Sequence, residues 1–254
     1  METFINWLIG NMGTPGEYMY GTMHLVTTAI VVAATVLLGV IAFRNRSNPH
    51  RTRALVVAVS IFQLVFEIGW RLIYWLLRGD SLVNWWPMYP CNLNGILIPL
   101  FALINWKPGK KLFYLFGFIG GVLTFAMPDG IFCTSVFVFP ILKSVLQHTG
   151  LLIIPVLELI SGSYRPTLRH LGWVICGCLI HILNCEVIDR LLGFTGDYMF
   201  FRSGMPFVIP GVPQFITLSV FALIVFAVMS FFCDIPDSVS VLRSGKRREY
   251  IPTK

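Results

Sequence analysis

Charged side chains are scarce in this chain. Asp, Glu, Lys and Arg make up 12% of its 254 residues, about half the share of a soluble globular domain. So few charges cannot cover a water-facing surface. With 56% hydrophobic residues and a mean hydropathy of +0.76, lipid has to be most of the solvent. At about 20 residues per helical span, roughly six to eight helices use up the whole length, which leaves no room for a separate soluble domain. A basic leader is also lacking: Met1 to Gly13 hold no Lys or Arg and include Glu2, so no cleavable signal peptide is expected. The stretch Phe4-Ile5-Asn6-Trp7-Leu8-Ile9 reads instead as an interfacial segment. Internal repeats and low-complexity tracts are absent. The six cysteines (91, 133, 176, 178, 185 and 233) mostly sit inside apolar runs, which excludes a secreted disulfide framework. Cys176 and Cys178, two apart, fall on different faces of a helix.

What is present is a series of apolar runs. Seven can be read, at about Tyr20–Phe43, Ala54–Leu77, Trp85–Trp106, Leu112–Met127, Val136–Ile160, Leu168–Ile188 and Pro213–Cys233. The fourth is short and glycine-rich (Gly117, Gly120, Gly121), a composition suited to close helix packing. The expected fold is all-α: a single transmembrane domain over 1–254, a bundle of about seven helices, with a short amino-terminal segment and a basic tail from about 234. The net charge of +7 does not point to nucleic acid, because the basic residues gather in short loops between apolar runs, where anionic lipid headgroups are the natural counter-charge. Arg44, Arg46, Arg51 and Arg53 fall in the first loop, Lys107, Lys110 and Lys111 in the third, Arg165 and Arg169 in the fifth. Arg243, Lys246, Arg247, Arg248 and Lys254 fall in the tail. This alternation predicts an odd number of spans with the amino terminus outside or lumenal and the carboxyl terminus cytosolic. Nothing in the sequence separates endoplasmic reticulum from plasma membrane. The connection from Leu191 to Val212 is rich in Phe, Tyr, Met and Pro and reads either as a lid folding back over the bundle or as an interfacial loop with aromatic anchors.

Ionisable residues inside a span are costly unless they face a cavity or each other. Gln63, Glu67, Arg71 and Arg78 share one helical face of the second run, with Glu67 and Arg71 four apart and able to pair. Two readings stand at equal weight: an ion pair that holds helices together, and a polar wall that receives a charged headgroup such as a phosphate, with Arg71 or Arg78 as donor. His24 opens the first run, Cys91 lies early in the third, His148 midway along the fifth, and His181 and Asn184 well along the sixth. By helical rise, His148 sits roughly 18 Å in from the outer end of its span and Cys91 about 9 Å. Spacing alone leaves open whether they meet. If they do, imidazole can take the thiol proton and the thiolate can attack an ester carbonyl. Asn92 and Asn94 beside the thiol are candidate oxyanion donors, or simply partners for broken-helix backbone. A zinc site from His24, Cys91, His148 and His181 is the rival chemistry, with His181 and Cys185 spaced i, i+4, but there is no HExxH motif and no neighbouring carboxylate.

The Pro90-Cys91 element opening a run, the later His148 with Pro155 downstream, and Asp197-Tyr198-Met199-Phe200-Phe201 followed by Pro206 together resemble the YwaF-like integral membrane proteins. Their animal relatives are the transmembrane protein 164 acyltransferases. The resemblance covers roughly His24 to Phe232. It implies transfer of a fatty acyl chain between phospholipids through a Cys nucleophile and a His, matched here by Cys91 and His148, 57 residues apart. Bacterial members often carry a His two before the Cys, where this chain has Tyr89.

The expectation is therefore a membrane phospholipid acyltransferase. Donor and lyso-phospholipid would be its partners, with neither cofactor nor metal. Cys91 and His148 would be catalytic, with Glu67, Arg71, Asn92, Asn94, His24, Asn184 and Tyr198 around the substrate. The alternative is a seven-helix transporter or receptor-like binding protein, which would tolerate loss of Cys91. The topology is checked by tag accessibility in sealed membranes: tags at the two termini should be reached from opposite sides, and both on one side would refute it.

Overall fold

The computed structural model describes residues 2–10, 17–79, 85–128, 130–196, 212, 216–217 and 219–231. Its helices are α1 (Glu2–Leu8), α2 (Thr22–Arg44), α3 (Pro49–Arg78), α4 (Pro90–Leu103), α5 (Lys107–Ala126), α6 (Phe139–Ile160), α7 (Leu171–Ile182) and α8 (Asp189–Leu191), followed by α9 (Ser219–Phe231). A short 3-10 turn, Leu168–His170, leads into α7, and a π-helical stretch, Leu183–Ile188, joins α7 to α8. Five helices are long and apolar enough to cross a membrane, and α4 and α9 are shorter apolar helices. These seven segments coincide with the seven runs read from the sequence, and the chain is an all-α, multi-pass membrane protein.

Proline and capping set the boundaries. Prolines occupy the first turns of α3, α4, α5 and α6, where the missing N–H would be unpaired in any case. The Asn48 side chain caps α3 by accepting from the Arg51 N–H. At its far end Gly79 takes a left-handed conformation (φ 64°) and donates to Trp75 O, a backbone state that favours glycine. Within the first connection and the tight α4–α5 turn, Asn45 and Asn105 play similar closing roles, Asn105 at φ 53°.

The polarity is inverted relative to a water-soluble bundle. Leu25, Ile30, Val36, Leu37, Val65, Leu76 and Phe231 are exposed, whereas Gln63, Glu67, Arg71, Lys110 and Glu158 are buried. Apolar side chains facing outward and ionisable ones facing inward are what lipid as solvent selects. The central helix is α6, which packs against α2, α3, α4 and α5. Glycines let backbones meet: a Cβ at Gly117 would collide with Ile98, and one at Gly177 would collide with the Leu112 carbonyl. Close α4–α5 and α5–α7 contact follows. Of the three glycines read as a packing face, Gly117 and Gly121 are in tight contact, while Gly120 meets nothing within 4 Å. The amino-terminal segment, read as interfacial, is α1, with Trp7 Nε1 donating to Phe137 O (2.8 Å).

One difference from the sequence reading concerns the third basic cluster. Lys107, Lys110 and Lys111 form the first turn of α5 rather than a loop, because Pro108 starts the helix there. Lys110 turns inward, 1% exposed, and its Nζ donates to Glu158 Oε2 (2.7 Å) and Asn105 Oδ1 (2.6 Å). Arg53 lies 3.6 Å from the other Glu158 oxygen and donates to the carbonyls of Ala102 and Leu103, both at 2.6 Å. Ser163 Oγ also donates to Glu158. The start of α3, the end of α4, the start of α5 and the end of α6 are thereby stapled together. The first, third and fifth connections lie at this one end of the bundle.

Glu158→Ala should destabilise the fold by about 3–5 kcal/mol, because Lys110 would remain buried without its partner. The paired replacement Lys110→Met with Glu158→Leu should cost less than that single loss. Thermal unfolding of the purified chain in detergent checks the order; equal losses would mean that the pair is not what holds this end.

Candidate functional site

Cys91 occupies the first turn of α4, at the end of the bundle opposite the Glu158 staple. Helices α3, α4 and α6 converge there on a buried polar cluster. On α3, the Glu67 carboxylate is 0% exposed and accepts three donors. Gln63 Nε2 lies 3.2 Å from Oε1, while Trp70 Nε1 (3.0 Å) and Arg71 Nη1 (2.6 Å) reach Oε2. Arg71 Nη1 also donates to Glu67 O (2.7 Å). The pair expected from the i, i+4 spacing is thus formed, and Gln63 shares its face as expected. Of Arg78 only the backbone is described.

The Gln147 side chain on α6 closes the cluster across to α4. Its Nε2 donates to Cys91 O (3.2 Å) and to Asn92 Oδ1 (2.9 Å). Gly95 makes room: a Cβ there would stand 2.9 Å from Gln147 Nε2 and 3.1 Å from Glu67 Oε1. Lys143, one turn before Gln147, places Nζ 4.4 Å from the Trp70 ring centroid and interacts electrostatically with Cys91, Glu67 and Arg71.

Cys91 is partly buried and unoxidised, with its Sγ 4.0 Å from Asn92 Oδ1. His148 is 7% exposed, and its Nδ1 lies 2.8 Å from Ser144 O. A carbonyl only accepts, so Nδ1 carries a hydrogen there and a neutral ring keeps its lone pair on Nε2. No hydrogen bond joins the thiol to the imidazole. The link between them is Gln147, which binds Cys91 O and immediately precedes His148. A helix turns about 100° per residue, so His148 falls on the adjacent stripe of α6. Val145 and Leu152 share that stripe and pack in the apolar cluster with Val31, Phe125 and Phe132.

The two asparagines have different roles. Asn94, 2% exposed, contacts His181 Nε2 at 3.1 Å, and His181 Nδ1 lies 2.7 Å from Gly177 O. With Nδ1 donating, a neutral His181 needs the Asn94 amide to turn its NH2 toward Nε2. Asn92 engages Gln147 through its oxygen, and among the described residues its NH2 has no protein partner. Asn184 Nδ2 donates to Pro87 O (2.8 Å), tying the π-helical stretch to the segment that leads into Cys91. A π-helix inserts an extra residue per turn and recurs at functional sites; here it breaks the i, i+4 register that would align His181 with Cys185. His24 is buried elsewhere: its Nε2 bonds Phe125 O (2.9 Å), and its ring packs on Tyr20 and Phe132. Tyr198 and Pro206, with the rest of 197–211, lie outside the described residues. Among the described residues, no three His, Cys, Asp or Glu side chains group as metal ligands, and the zinc set His24, Cys91, His148 and His181 is not assembled.

Gln147 and Lys143 were not singled out by the sequence reading. The signal for Lys143 was available, since it is an ionisable residue inside an apolar run; Gln147 carries no charge and gave none. A cavity of about 320 Å³ between α2, α3 and α6 is lined by Leu38, Val59, Phe62, Leu146 and Ile153, with Gln63 in its wall.

Gln147→Ala should leave Asn92 Oδ1 without its inter-helical donor, costing about 1–3 kcal/mol and freeing the first turn of α4. The check is thermal unfolding together with alkylation of the Cys91 peptide read by mass spectrometry. The variant should melt lower and label faster, and an unchanged labelling rate would show that Gln147 does not hold the Cys91 turn.

The TMEM164 family model matches residues 19–230. No curated protein and no solved structure matches the chain.

Proposed function

The chain belongs to the TMEM164 family, and from that premise we propose that it is a membrane-embedded phospholipid acyltransferase working through an acyl-thioester on Cys91. The observation that carries this reading is the setting of Cys91. Its thiol stands in the first turn of a helix, inside a three-helix polar cluster, next to an amide with an unused NH2 and one residue of α6 away from an imidazole with a free lone pair.

In the reaction, His148 Nε2 takes the thiol proton and the thiolate adds to the acyl ester of a donor phospholipid. The Asn92 NH2 supports the oxyanion of the tetrahedral intermediate. Collapse breaks the ester C–O bond, the imidazolium returns its proton to the departing alkoxide, and the lyso-phospholipid leaves. The acceptor, a lyso-phospholipid hydroxyl, then loses its proton to the same imidazole and takes the acyl group as the C–S bond breaks, and the imidazolium returns that proton to the released thiolate. Closing of the thiol onto Nε2 belongs to the substrate-bound state, since catalytic hydrogen bonds often tighten only there. Exclusion of water favours transfer over hydrolysis of the thioester. Arg71 lies on the headgroup side. Glu67, which accepts from three side chains, holds Arg71 and Trp70 in place, while Asn94, Asn184 and His24 position the helices around the site. No step requires a cofactor.

Purified protein incubated with a phospholipid donor should gain a hydroxylamine-labile acyl mass on the Cys91 peptide. Cys91→Ala should abolish it and acyl transfer together. His148→Ala should lower transfer by at least about a hundredfold, the low end of general-base contributions, while both variants keep their melting behaviour. A folded wild-type sample with no acyl mass would remove the covalent mechanism.

A further inference from the structure

Two cations, Arg71 buried and Lys143 half-buried, share one indole, and only Arg71 is matched by the neighbouring acid. The Arg71 guanidinium carbon lies 4.3 Å and Lys143 Nζ 4.4 Å from the Trp70 ring centroid. The Trp70 N–H is tied to Glu67 Oε2, which fixes the ring between α3 and α6. Glu67 is the acid in contact with this pair, and its oxygens already accept from Gln63, Trp70 and Arg71 Nη1. Arg71 is 6% exposed, and its Nη2 is buried with no hydrogen-bond partner. Among the described residues Lys143 has no hydrogen-bond acceptor and no ion pair, only the π face and the electrostatic pull of Glu67. Two positive groups and one negative group leave a net positive charge at this cluster, and among the described residues Arg71 Nη2 and Lys143 Nζ meet no protein oxygen.

An arginine–glutamate staple would account for Nη1 but not for Nη2, and not for Lys143 at all. The Glu158 cluster shows what a staple looks like in this fold, since every cation there has an oxygen acceptor. A buried guanidinium N–H without a partner, beside a half-buried ammonium that has none, is a place where an anion from outside the chain would complete the pairing. Donors arriving from two helices, one a flat fork and one a point charge, suit an anion with several oxygens arranged in three dimensions. A phosphate meets that description better than a planar carboxylate, which the Arg fork alone would occupy.

We propose that Arg71 and Lys143 form a phosphate-binding site on Trp70, beside Cys91, whose ligand is a phosphate ester of a membrane lipid. Inorganic phosphate carries the same oxygens and is the alternative source. The choice of lipid rests on the acyltransferase reading; the anion site does not. Holding the phosphate at a set distance from the thiol would make the site prefer glycerophospholipids over neutral glycerides with the same chains. It would also select which ester is presented to sulfur.

The test is binding, independent of turnover. Full-length Cys91→Ala protein in detergent is offered equal amounts of dioleoyl phosphatidylcholine, dioleoyl phosphatidic acid and dioleoylglycerol, and retained lipid is read by native mass spectrometry. The phosphate-bearing lipids should be retained about tenfold over dioleoylglycerol, as expected for one charge-assisted contact. Adding Lys143→Gln should bring the ratio close to one, and Lys143→Arg should restore it. Arg71→Lys, which keeps a cation against Glu67, should reduce the ratio by itself and serves if Lys143→Gln fails to fold. Inorganic phosphate is added in a parallel arm. If it raises the melting temperature through Lys143 and displaces lipid, the site stands with free phosphate as its ligand; if it does neither while lipid preference holds, the ligand is lipid. A folded Lys143→Gln or Arg71→Lys protein with an unchanged lipid ratio and no phosphate effect overturns the site. If the protein with Arg71 and Lys143 intact shows no preference for phosphate-bearing lipids while wild-type Cys91 is acylated, the anion site falls and the acyltransferase reading stands.

Discussion

Hydrocarbon offers no hydrogen bonds, so every polar group drawn into this bundle must find its partner within the chain or in a ligand. The Glu67 carboxylate is where that constraint bears hardest. It is wholly buried and accepts from Gln63, Trp70 and Arg71, three side chains of its own helix. It also stands against Gly95 of α4, where a side chain would intrude. Without that acceptor the face of α3 that meets α4 and α6 would carry an unpaired guanidinium and two orphaned N–H groups. The Cys91 turn depends on the same face, because Gln147 reaches across to it beside Glu67.

The two ends of the bundle solve the problem of buried charge differently. Around Glu158 each cation has an oxygen partner: Lys110, Arg53 and Ser163 converge on one carboxylate, whose Oε1 is left with only the 3.6 Å ion pair to Arg53, and Arg53 donates to the last carbonyls of α4. That arrangement fastens four helices. Around Glu67 the cations are not all so paired, since Arg71 Nη2 is left over and Lys143 faces an aromatic ring. Evolution tolerates leftover charge in lipid where something is to be bound. The partly buried thiol, the free Asn92 NH2 and the π-helical stretch around Asn184 gather at this second end, so the incompletely paired cluster and the candidate chemistry coincide.

Much of this was legible in the residues. The seven apolar segments followed from runs of about 20 uncharged residues, and the Glu67–Arg71 pair from a spacing of four. The family resemblance rested on Pro90-Cys91, His148 and Pro155, and the family match over residues 19–230 agrees with it. The Lys110–Glu158 contact was not legible, because its members are 48 positions apart and Lys110 looked like one more loop charge. Gln147 was invisible for a similar reason, since a neutral amide in an apolar run has no periodicity to reveal its partner. The partner of His24 was not legible either, since the Phe125 carbonyl it bonds lies 101 positions away.

Composition and periodicity by themselves determined that this chain lives in lipid, how many segments it folds into and which helix faces are polar, because these depend on local transfer energies and on the 3.6-residue repeat. Which polar faces meet was decided only by tertiary packing. Small residues at Gly95, Gly117 and Gly177 set how closely the helices approach, and that approach places Gln147 on the Cys91 turn and Lys143 on Trp70. Contacts between residues more than fifty positions apart depend on how whole helices dock, and no local pattern encodes that.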